Sequence, residues 1–262
     1  RTYDKKKEFT KSFGFRMKTD SENKLTRNTG FYERTSKLTR NFIDARGFWL
    51  PNDYTKHGVI NEYTACREKS VVIDLSSLRK FEILGPDAEE LMNYTLTRNV
   101  KKLSVGQVVY SSMCYENGFM FDDGTLLKLS DHGFRWVCGD EYAGEWLKEQ
   151  AKKRNYKVLI KNSTDQINNI SLQGPNSRKI LEKLIFTPPT QPAISELEWF
   201  RFTICRIENL NGIPLIVSRT GYTGELGYEI WCHPDHAPEV WDKVMEAGKD
   251  EGLIPAGFGA LD

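Results

Sequence analysis

The sequence predicts an α+β fold made of two similar α/β halves. Three observations carry this. Short runs rich in Val, Ile, Phe and Trp recur along the chain with strand-like patterning. Helical spacing is intermittent and confined to segments of about ten residues. A strand followed by Gly-Pro and a helix occurs twice, at Gly85-Pro86 and Gly174-Pro175, which reads as an internal pseudo-repeat. At 262 residues the surface scaling law lets about three quarters of the extended chain's surface be buried, so no disulfide or metal staple is needed.

In chain order, residues 1–45 come first and differ from the rest. They hold twelve Lys/Arg against six acids, an excess of +6, and their apolar residues follow neither period. They read as a wrapping arm or long solvated loop, and 1–59 is assigned as a basic N-terminal extension of a domain spanning 60–262. Val71–Leu75 and Lys80–Leu84 read as strands. Gly85-Pro86-Asp87-Ala88 then opens a helix over Glu89–Leu96, because Pro has no N–H to lose at the first turn and Glu89-Glu90 suit the positive end of the helix dipole. Gln107–Tyr115 is a strand that turns at Glu116-Asn117-Gly118, where Asn-Gly supplies positive φ, and returns over Phe119–Leu127. Phe134–Cys138 is a strand, and Tyr142–Arg154 a helix with Ala143, Trp146, Leu147 and Ala151 on one face. The second copy runs Asn169–Leu172 (strand), Gln173-Gly174-Pro175-Asn176 (turn) and Ser177–Leu184 (helix). Strands at Phe200–Ile207, Ile213–Ser218 and Gly227–Trp231 follow, then a helix over Ala237–Ala247.

Composition narrows the function. Lys plus Arg is 37, Asp plus Glu 36 and the net charge +1, so no global field gathers nucleic acid or an anionic membrane. There is no apolar run of about 20 residues and no signal-peptide pattern. The five cysteines are scattered without a C-x-x-C and read as reduced thiols in a cytoplasmic setting. Cys232-His233-Pro234-Asp235-His236 places two His beside a thiol, but Pro234 interrupts helical presentation and no second cluster completes a ligand set. No metal site is expected, and His-Pro-Asp reads as a cap for the following helix. No G-x-S-x-G occurs.

Two segments can carry chemistry. At Asp122-Asp123, strand alternation sends one carboxylate to each face. The inward one needs a partner, which a ligand with N–H donors provides; a bulge with both acids solvated is the alternative. In the segment Ser218 to Glu229, glycines and threonines form an ordered loop between strands. Tyr222 and Tyr228 can stack on a flat ring. Glu229 enters an apolar strand, where a carboxylate can accept two parallel N–H bonds from an amidine-like edge. A structural loop with Glu229 paired to Arg219 is the alternative.

Val217-Ser-Arg-Thr-Gly-Tyr-Thr-Gly-Glu-Leu-Gly-Tyr-Glu229 resembles a signature of the aminomethyltransferase family, the T-proteins of the glycine cleavage system and their relatives. It is joined in order by Asp74-Leu75-Ser76, Gly85-Pro86-Asp87-Ala88, Tyr110-Ser111-Ser112-Met113, Asn117-Gly118 with Asp122-Asp123, and Leu172-Gln173-Gly174-Pro175. The resemblance covers Ile60 to Asp262, and residues 1–45 match little. It implies a T-protein-like folate-binding fold around a central cavity, with a final barrel-like part expected beyond Asp262. It implies a tetrahydrofolate-dependent transferase of methyl or aminomethyl groups from a small methylated amine, amino acid or sulfonium donor. By motif, Asp123 is the catalytic acid beside the pterin's reacting nitrogen. Glu229 binds the pterin's amino edge, Tyr110 and Tyr222 line the ring, and Arg219 lies near the site. A lipoyl carrier protein or a flavoprotein is the protein partner such relatives imply. Asp74-Leu75-Ser76-Ser77-Leu78-Arg79 departs from the usual Asp-x-Ser-His-Met-Gly, and Gly259-Ala260-Leu261-Asp262 from Gly-Ala-Arg-Asp. Both are closer to the folate domains of dimethylglycine and sarcosine dehydrogenases; dimethylsulfoniopropionate demethylase belongs to the same superfamily. Folate binding is therefore expected ahead of a glycine-cleavage substrate. A folate-binding protein without activity, or the folate-binding subunit of a larger amine oxidase, are the alternatives.

Overall fold

A computed structural model describes residues 26–261. The first three strands are β1 (Arg27–Asn28), β2 (Phe42–Ala45) and β3 (Phe48–Pro51). The rest are β4 (Ser70–Asp74), β5 (Arg79–Leu84), β6 (Val108–Cys114), β7 (Met120–Ser130), β8 (Gly133–Cys138), β9 (Leu159–Asn162), β10 (Asn168–Gln173), β11 (Ile185–Phe186), β12 (Phe202–Ile207), β13 (Pro214–Ser218), β14 (Gly227–Cys232) and β15 (Leu253–Pro255). They form a small sheet β1-β3-β2, a five-stranded sheet β6-β7-β8-β5-β9 and a seven-stranded sheet β11-β12-β13-β14-β10-β4-β15.

Alternation along each strand builds the layers. Phe81, Ile83, Phe134 and Trp136 point to the outer face of the five-stranded sheet. There they meet Leu91 and Met92 of helix Ala88–Thr95 and Trp146 and Leu147 of helix Tyr142–Lys153. Ile170, Leu172, Tyr228 and Ile230 do the same on the seven-stranded sheet. Their partners are Ile180 and Leu181 of helix Ser177–Leu184 and Val240, Trp241 and Val244 of helix Ala237–Gly248. Burying each such side chain contributes roughly 1.5–3 kcal/mol. The alternate residues form the inner layer, where Val108, Leu127 and Val137 of one sheet pack with Phe202 and Trp231 of the other.

The two halves repeat each other in register. In one, Arg79, Lys80, Glu82 and Leu84 oppose Cys138, Val137, Arg135 and Gly133. In the other, Asn168, Asn169, Ser171 and Gln173 oppose Cys232, Trp231, Glu229 and Gly227. The outer ladders match as well: Val108 faces Leu127 as Phe202 faces Ser218, and Tyr110 faces Thr125 as Ile204 faces Ile216. The halves meet at the Gln107–Arg201 bridge, where Val108 N donates to Phe200 O and Phe202 N to Gly106 O, a reciprocal pair across a pseudo-twofold axis.

Their edge strands are exchanged. β4 precedes β5 but pairs with β10 of the other half, while β9 precedes β10 but pairs with β5. The two Gly-Pro corners lie against these crossings. Gly85 has φ +135° and Gly174 φ +122°. A Cβ would fall 2.5 Å from Lys157 O at the first and 2.5 Å from Lys69 O at the second, each carbonyl lying just before an exchanged strand. The repeated Gly is therefore set both by backbone conformation and by the strand that passes it.

Of the basic extension expected over 1–59, residues 1–25 lie outside the described residues. The remainder packs closely. Phe31 is buried in the core of the seven-stranded sheet, 6.1 Å from the Trp241 ring centroid, and Thr29 donates to the buried Asp74. The β2–β3 hairpin, helix Val59–Glu68, β9 and β15 are further elements that the sequence patterning does not announce. No helix among the described residues is long and apolar enough to cross a membrane. The cap expected from His-Pro-Asp for helix Ala237–Gly248 is not formed on that helix, whose first residue follows His236 without a side-chain cap; His233 caps the turn before it instead. Its Nδ1 accepts from Asp235 N at the start of a short turn that leads into helix Ala237–Gly248.

Candidate functional site

The β6–β7 ladder separates the two neighbouring acids. Asp123 opposes Ser112 on the inner face. Asp122 turns to the outer face, where its Oδ2 accepts from Asp140 N at 2.9 Å. A bulge opposite Met113 and Cys114 makes Phe121 the extra residue, which packs against Tyr115, Tyr142 and Trp146. A bulge of this kind re-aims the side chains beside it. Tyr110, two residues before Ser112 and therefore on the same face, donates its hydroxyl to Asp123 Oδ2. That hydrogen bond is the main reason its phenol pKa is raised. Partial burial, the Asp123 charge and the nearby Tyr222 add to it. Tyr110 is 45% and Tyr222 84% exposed, so both present aromatic surface to solvent.

The inner face of the seven-stranded sheet carries a row of buried polar side chains: Asn169, Ser171 and Gln173 on β10, Ser218 on β13 and Glu229 on β14. The Thr220 hydroxyl donates to Glu229 Oε2. Ser218 Oγ lies 2.8 Å from Thr220 Oγ1 and accepts from Trp231 Nε1 at 3.2 Å. Burial raises the pKa of the Glu229 carboxyl, and Thr220 and the charge of Lys80 oppose that rise.

Gln173 holds the signature loop in place. Its Nε2 donates to Ser171 Oγ at 2.9 Å and Thr220 O at 3.2 Å, and its Oε1 accepts from Thr223 Oγ1 at 2.9 Å. A Cβ on Gly227 would lie 1.9 Å, and one on Gly221 2.1 Å, from Gln173 Oε1. These two glycines of the signature thus make room for a glutamine, and no phosphate cradle is involved.

The structure therefore strings together Asp123, Tyr110 and Tyr222. The short segment Thr220-Gly221-Tyr222 joins them to Glu229. Arg219 goes elsewhere: its Nη1 donates to Leu197 O at 3.1 Å. The alternative pairing of Glu229 with Arg219 is not formed; Thr220 takes that place. Tyr228 faces the outer core, wholly buried, with Arg178 Nε donating to its hydroxyl, so it is not available to stack on a ligand in this site. Lys80 and Asn169 are inner-face residues that no motif marks for the site, and Gln173 is a third that stands in a quoted motif without a role assigned to it. The signal was present as period two: Asn169, Ser171 and Gln173 alternate with Ile170 and Leu172. A separate groove of about 500 Å³ opens beside the pseudo-twofold axis, lined among others by Gly106, Leu129, Leu197 and Arg201, and none of the five expected site residues lines it.

Residues 31–262 match the family described as the GCVT N-terminal domain. The chain belongs to that family. Among relatives of this GCVT chain, trimethylamine-oxide aldolase of Ruegeria pomeroyi is 53% identical over all of it. Aminomethyltransferase of Halothermothrix orenii is 37% identical over 89% of it. The chain spans 33% of the first relative's length and 63% of the second's. The crystal structure of glycine cleavage system aminomethyltransferase T from Bartonella henselae superposes with a TM-score of 0.76 at 24% identity, covering 90% of this chain and 61% of that one. The GCVT chain thus has the T-protein-like α+β fold that the resemblance implied, and its named relatives are enzymes.

Proposed function

We propose that this chain is the folate-binding part of a tetrahydrofolate-dependent one-carbon transferase. The observation that carries the reading is the inner-face arrangement itself. Glu229 is a buried inner-face carboxylate joined through Thr220 to the loop that carries the exposed Tyr222, and Tyr110 holds Asp123 on the inner face of the other sheet. The residues suit a reduced pterin. Glu229 has one carboxylate oxygen on Thr220 and can take parallel N–H donors from an amino-amidine edge. The Asn169 amide is buried with neither its nitrogen nor its oxygen partnered, which fits a polar ligand in this layer. Tyr222 and Tyr110 offer faces for a flat ring.

Tetrahydrofolate, when bound, supplies the nitrogen that accepts the carbon. The protein's contribution is position and proton control. Glu229 fixes the ring's orientation, the tyrosines fix its plane, and Asp123 holds or takes a proton beside the reacting nitrogen. Tyr110 keeps the Asp123 carboxylate aimed. Arg219 enters as a support of the loop, since its hydrogen bond runs to Leu197 O.

The donor is a small methylated molecule, an amine, amino acid or sulfonium compound. The name of the Ruegeria relative favours a methylated amine oxide within that class. A lipoyl carrier or a flavoprotein is the protein partner to look for. The five cysteines, none in a disulfide, suit a reducing cytoplasmic compartment.

Calorimetric titration of the full-length protein with tetrahydrofolate tests the reading. Charge-assisted hydrogen bonds contribute about 1.5–3 kcal/mol each. Glu229→Ala, which removes two, should therefore weaken binding by about 100-fold or more. Equal affinity in wild type and variant would remove Glu229 from the site. No binding by the folded wild-type protein would end the folate reading.

A further inference from the structure

On its own sheet Glu229 has no cation directly across from it. Its cross-strand neighbours are Ser171 and Ser218. The pseudo-twofold axis sharpens the point, because the position matching Glu229 in the other half is Arg135. Its cross-strand partner is Glu82, and the two close an ion pair at 2.6 Å. One half thus neutralises its inner-face charge internally, whereas the other leaves a buried carboxylate opposite a serine.

The charge that Glu229 does feel comes from the facing sheet. Lys80, on the inner face of β5, is wholly buried. Its Nζ donates to Ser76 O at 2.9 Å and Leu78 O at 2.8 Å and lies 5.9 Å from the Trp231 ring centroid. Trp231 follows Glu229 by two residues on the same face of β14. The two carbonyls hold the ammonium back, and Lys80 forms no direct ion pair with Glu229. We propose that Lys80 is a positioning residue for the Glu229 site: from across the sheet interface it holds Glu229 as a carboxylate while leaving a carboxylate oxygen for the N–H edge of a ligand. This rests on the folate-site reading above.

A direct salt bridge would claim the acceptor that the ligand needs; a cation held at a distance lowers the cost of the buried charge and claims nothing. The other charges facing Lys80 do not replace it. Asp74, at the end of β4, also faces Lys80 and acts on it more strongly than Glu229 does, but its oxygens already accept from the Thr29 hydroxyl at 2.6 Å and Ser76 N at 2.9 Å. Arg135 is spent on Glu82. Arg79, beside Lys80 on β5, donates to Arg46 O and lies 3.6 Å from Glu141. Asn169, the symmetry counterpart of Lys80, is neutral. Burial pushes the Lys80 ammonium down to about 7. Its charge is therefore present on the acid side of neutrality, where a buried carboxyl would otherwise take up a proton.

The test is tetrahydrofolate affinity against pH, measured by calorimetry on the full-length protein and its Lys80→Gln and Lys80→Arg variants. Wild type should hold its affinity further toward acid pH than Lys80→Gln does. Lys80→Gln should match it at the alkaline end and lose about tenfold per pH unit on the acid side, where Glu229 protonates. Lys80→Arg should restore the wild-type profile. A Lys80→Gln profile parallel to wild type, whether or not uniformly weaker, overturns the proposal.

A second measurement leaves Lys80 in place, in case its replacement prevents folding. With 13C at lysine Cε, the Lys80 resonance should titrate at lower pH in Glu229→Gln than in wild type, because the neighbouring anion is gone. An unchanged midpoint overturns the coupling. If wild type binds no tetrahydrofolate at any pH, the folate reading fails by itself, and the lysine titration still decides whether the two groups are coupled.

Discussion

Gln173 and Gly227 should be strongly coupled. Gln173 is wholly buried, and its amide makes three hydrogen bonds, to Ser171 Oγ, Thr220 O and Thr223 Oγ1. At about 0.5–1.5 kcal/mol net each, Gln173→Ala should cost about 1.5–4.5 kcal/mol, before any cavity term. In Gly227→Ala the new methyl lands 1.9 Å from Gln173 Oε1. Gln173 is too enclosed to yield without giving up hydrogen bonds, so overpacking should cost about 1–3 kcal/mol. The three nearest atoms to that methyl all belong to Gln173, so shortening Gln173 removes the clash. The double variant should therefore be more stable than the sum of the single losses predicts, by about 1–3 kcal/mol. Urea unfolding of wild type, both single variants and the double variant measures this directly, with hydrogen exchange at residues 220–224 as a local readout. Losses that add to within about 0.5 kcal/mol would refute the clamp, because additivity is the behaviour of sites that do not touch.

Four further outcomes follow from the same geometry. Asp123→Asn should lower turnover by about 100-fold or more while leaving tetrahydrofolate affinity within a few fold, the signature of a lost proton-handling group; single-turnover and binding assays on the full-length protein separate the two. Gly85→Ala and Gly174→Ala should each destabilise by more than about 1 kcal/mol, since both combine positive φ with a 2.5 Å approach to a carbonyl; thermal melts check this, and a pair of silent variants would contradict the exchanged-strand packing. Phe31→Ala should cost about 3–5 kcal/mol of unfolding free energy, read from urea curves, if the segment before Val59 is part of the core. The Lys80 ammonium titrates at about 7 in the folded protein against its ordinary 10.5, so between those values the unfolded chain holds a proton that the folded one has released. Stability should rise with pH across that window, and Lys80→Gln should flatten the slope in pH-resolved unfolding curves.

The strands were legible where one face is apolar and the other is not. Phe134, Trp136 and Cys138 alternate with Arg135 and Val137, and that pattern reads correctly without tertiary help. The Gly-Pro corners were legible for a second reason, since their glycines are fixed by backbone conformation as well as by packing. The exchange of β4 and β9 was not legible, because pairing partners leave no local trace: Leu159–Asn162 and Ser70–Asp74 would look the same had each paired within its own half. Helix Val59–Glu68 was missed for a related reason. It buries only Glu62, Ala65 and Cys66, so no apolar stripe marks it. For the proposed site, motif reading named Asp123, Tyr110, Arg219, Tyr222 and Glu229 but not Lys80. A lysine beside Arg79 and Glu82 in a short strand reads as solvated, and only the facing sheet makes it a buried group.

The two halves repeat in backbone register, yet neither could form the site alone. Where the first half has Tyr110 and Asp123, the second has Ile204 and Pro214 in the same ladder positions. Pro214 offers no carboxylate and Ile204 no hydroxyl to aim one. Where the second half has Glu229 opposite Ser171, the first has Arg135 opposite Glu82, a pair that satisfies itself. On the proposed reading, the proton-handling group comes from one half, the ring-orienting carboxylate from the other, and the cation that steadies that carboxylate from the first again. A ligand that touches both acids must lie across the interface between the sheets. The pseudo-twofold axis supplies two inner faces alike in backbone, and the side chains break that equivalence, which is what the proposed binding of one asymmetric ligand in one orientation requires.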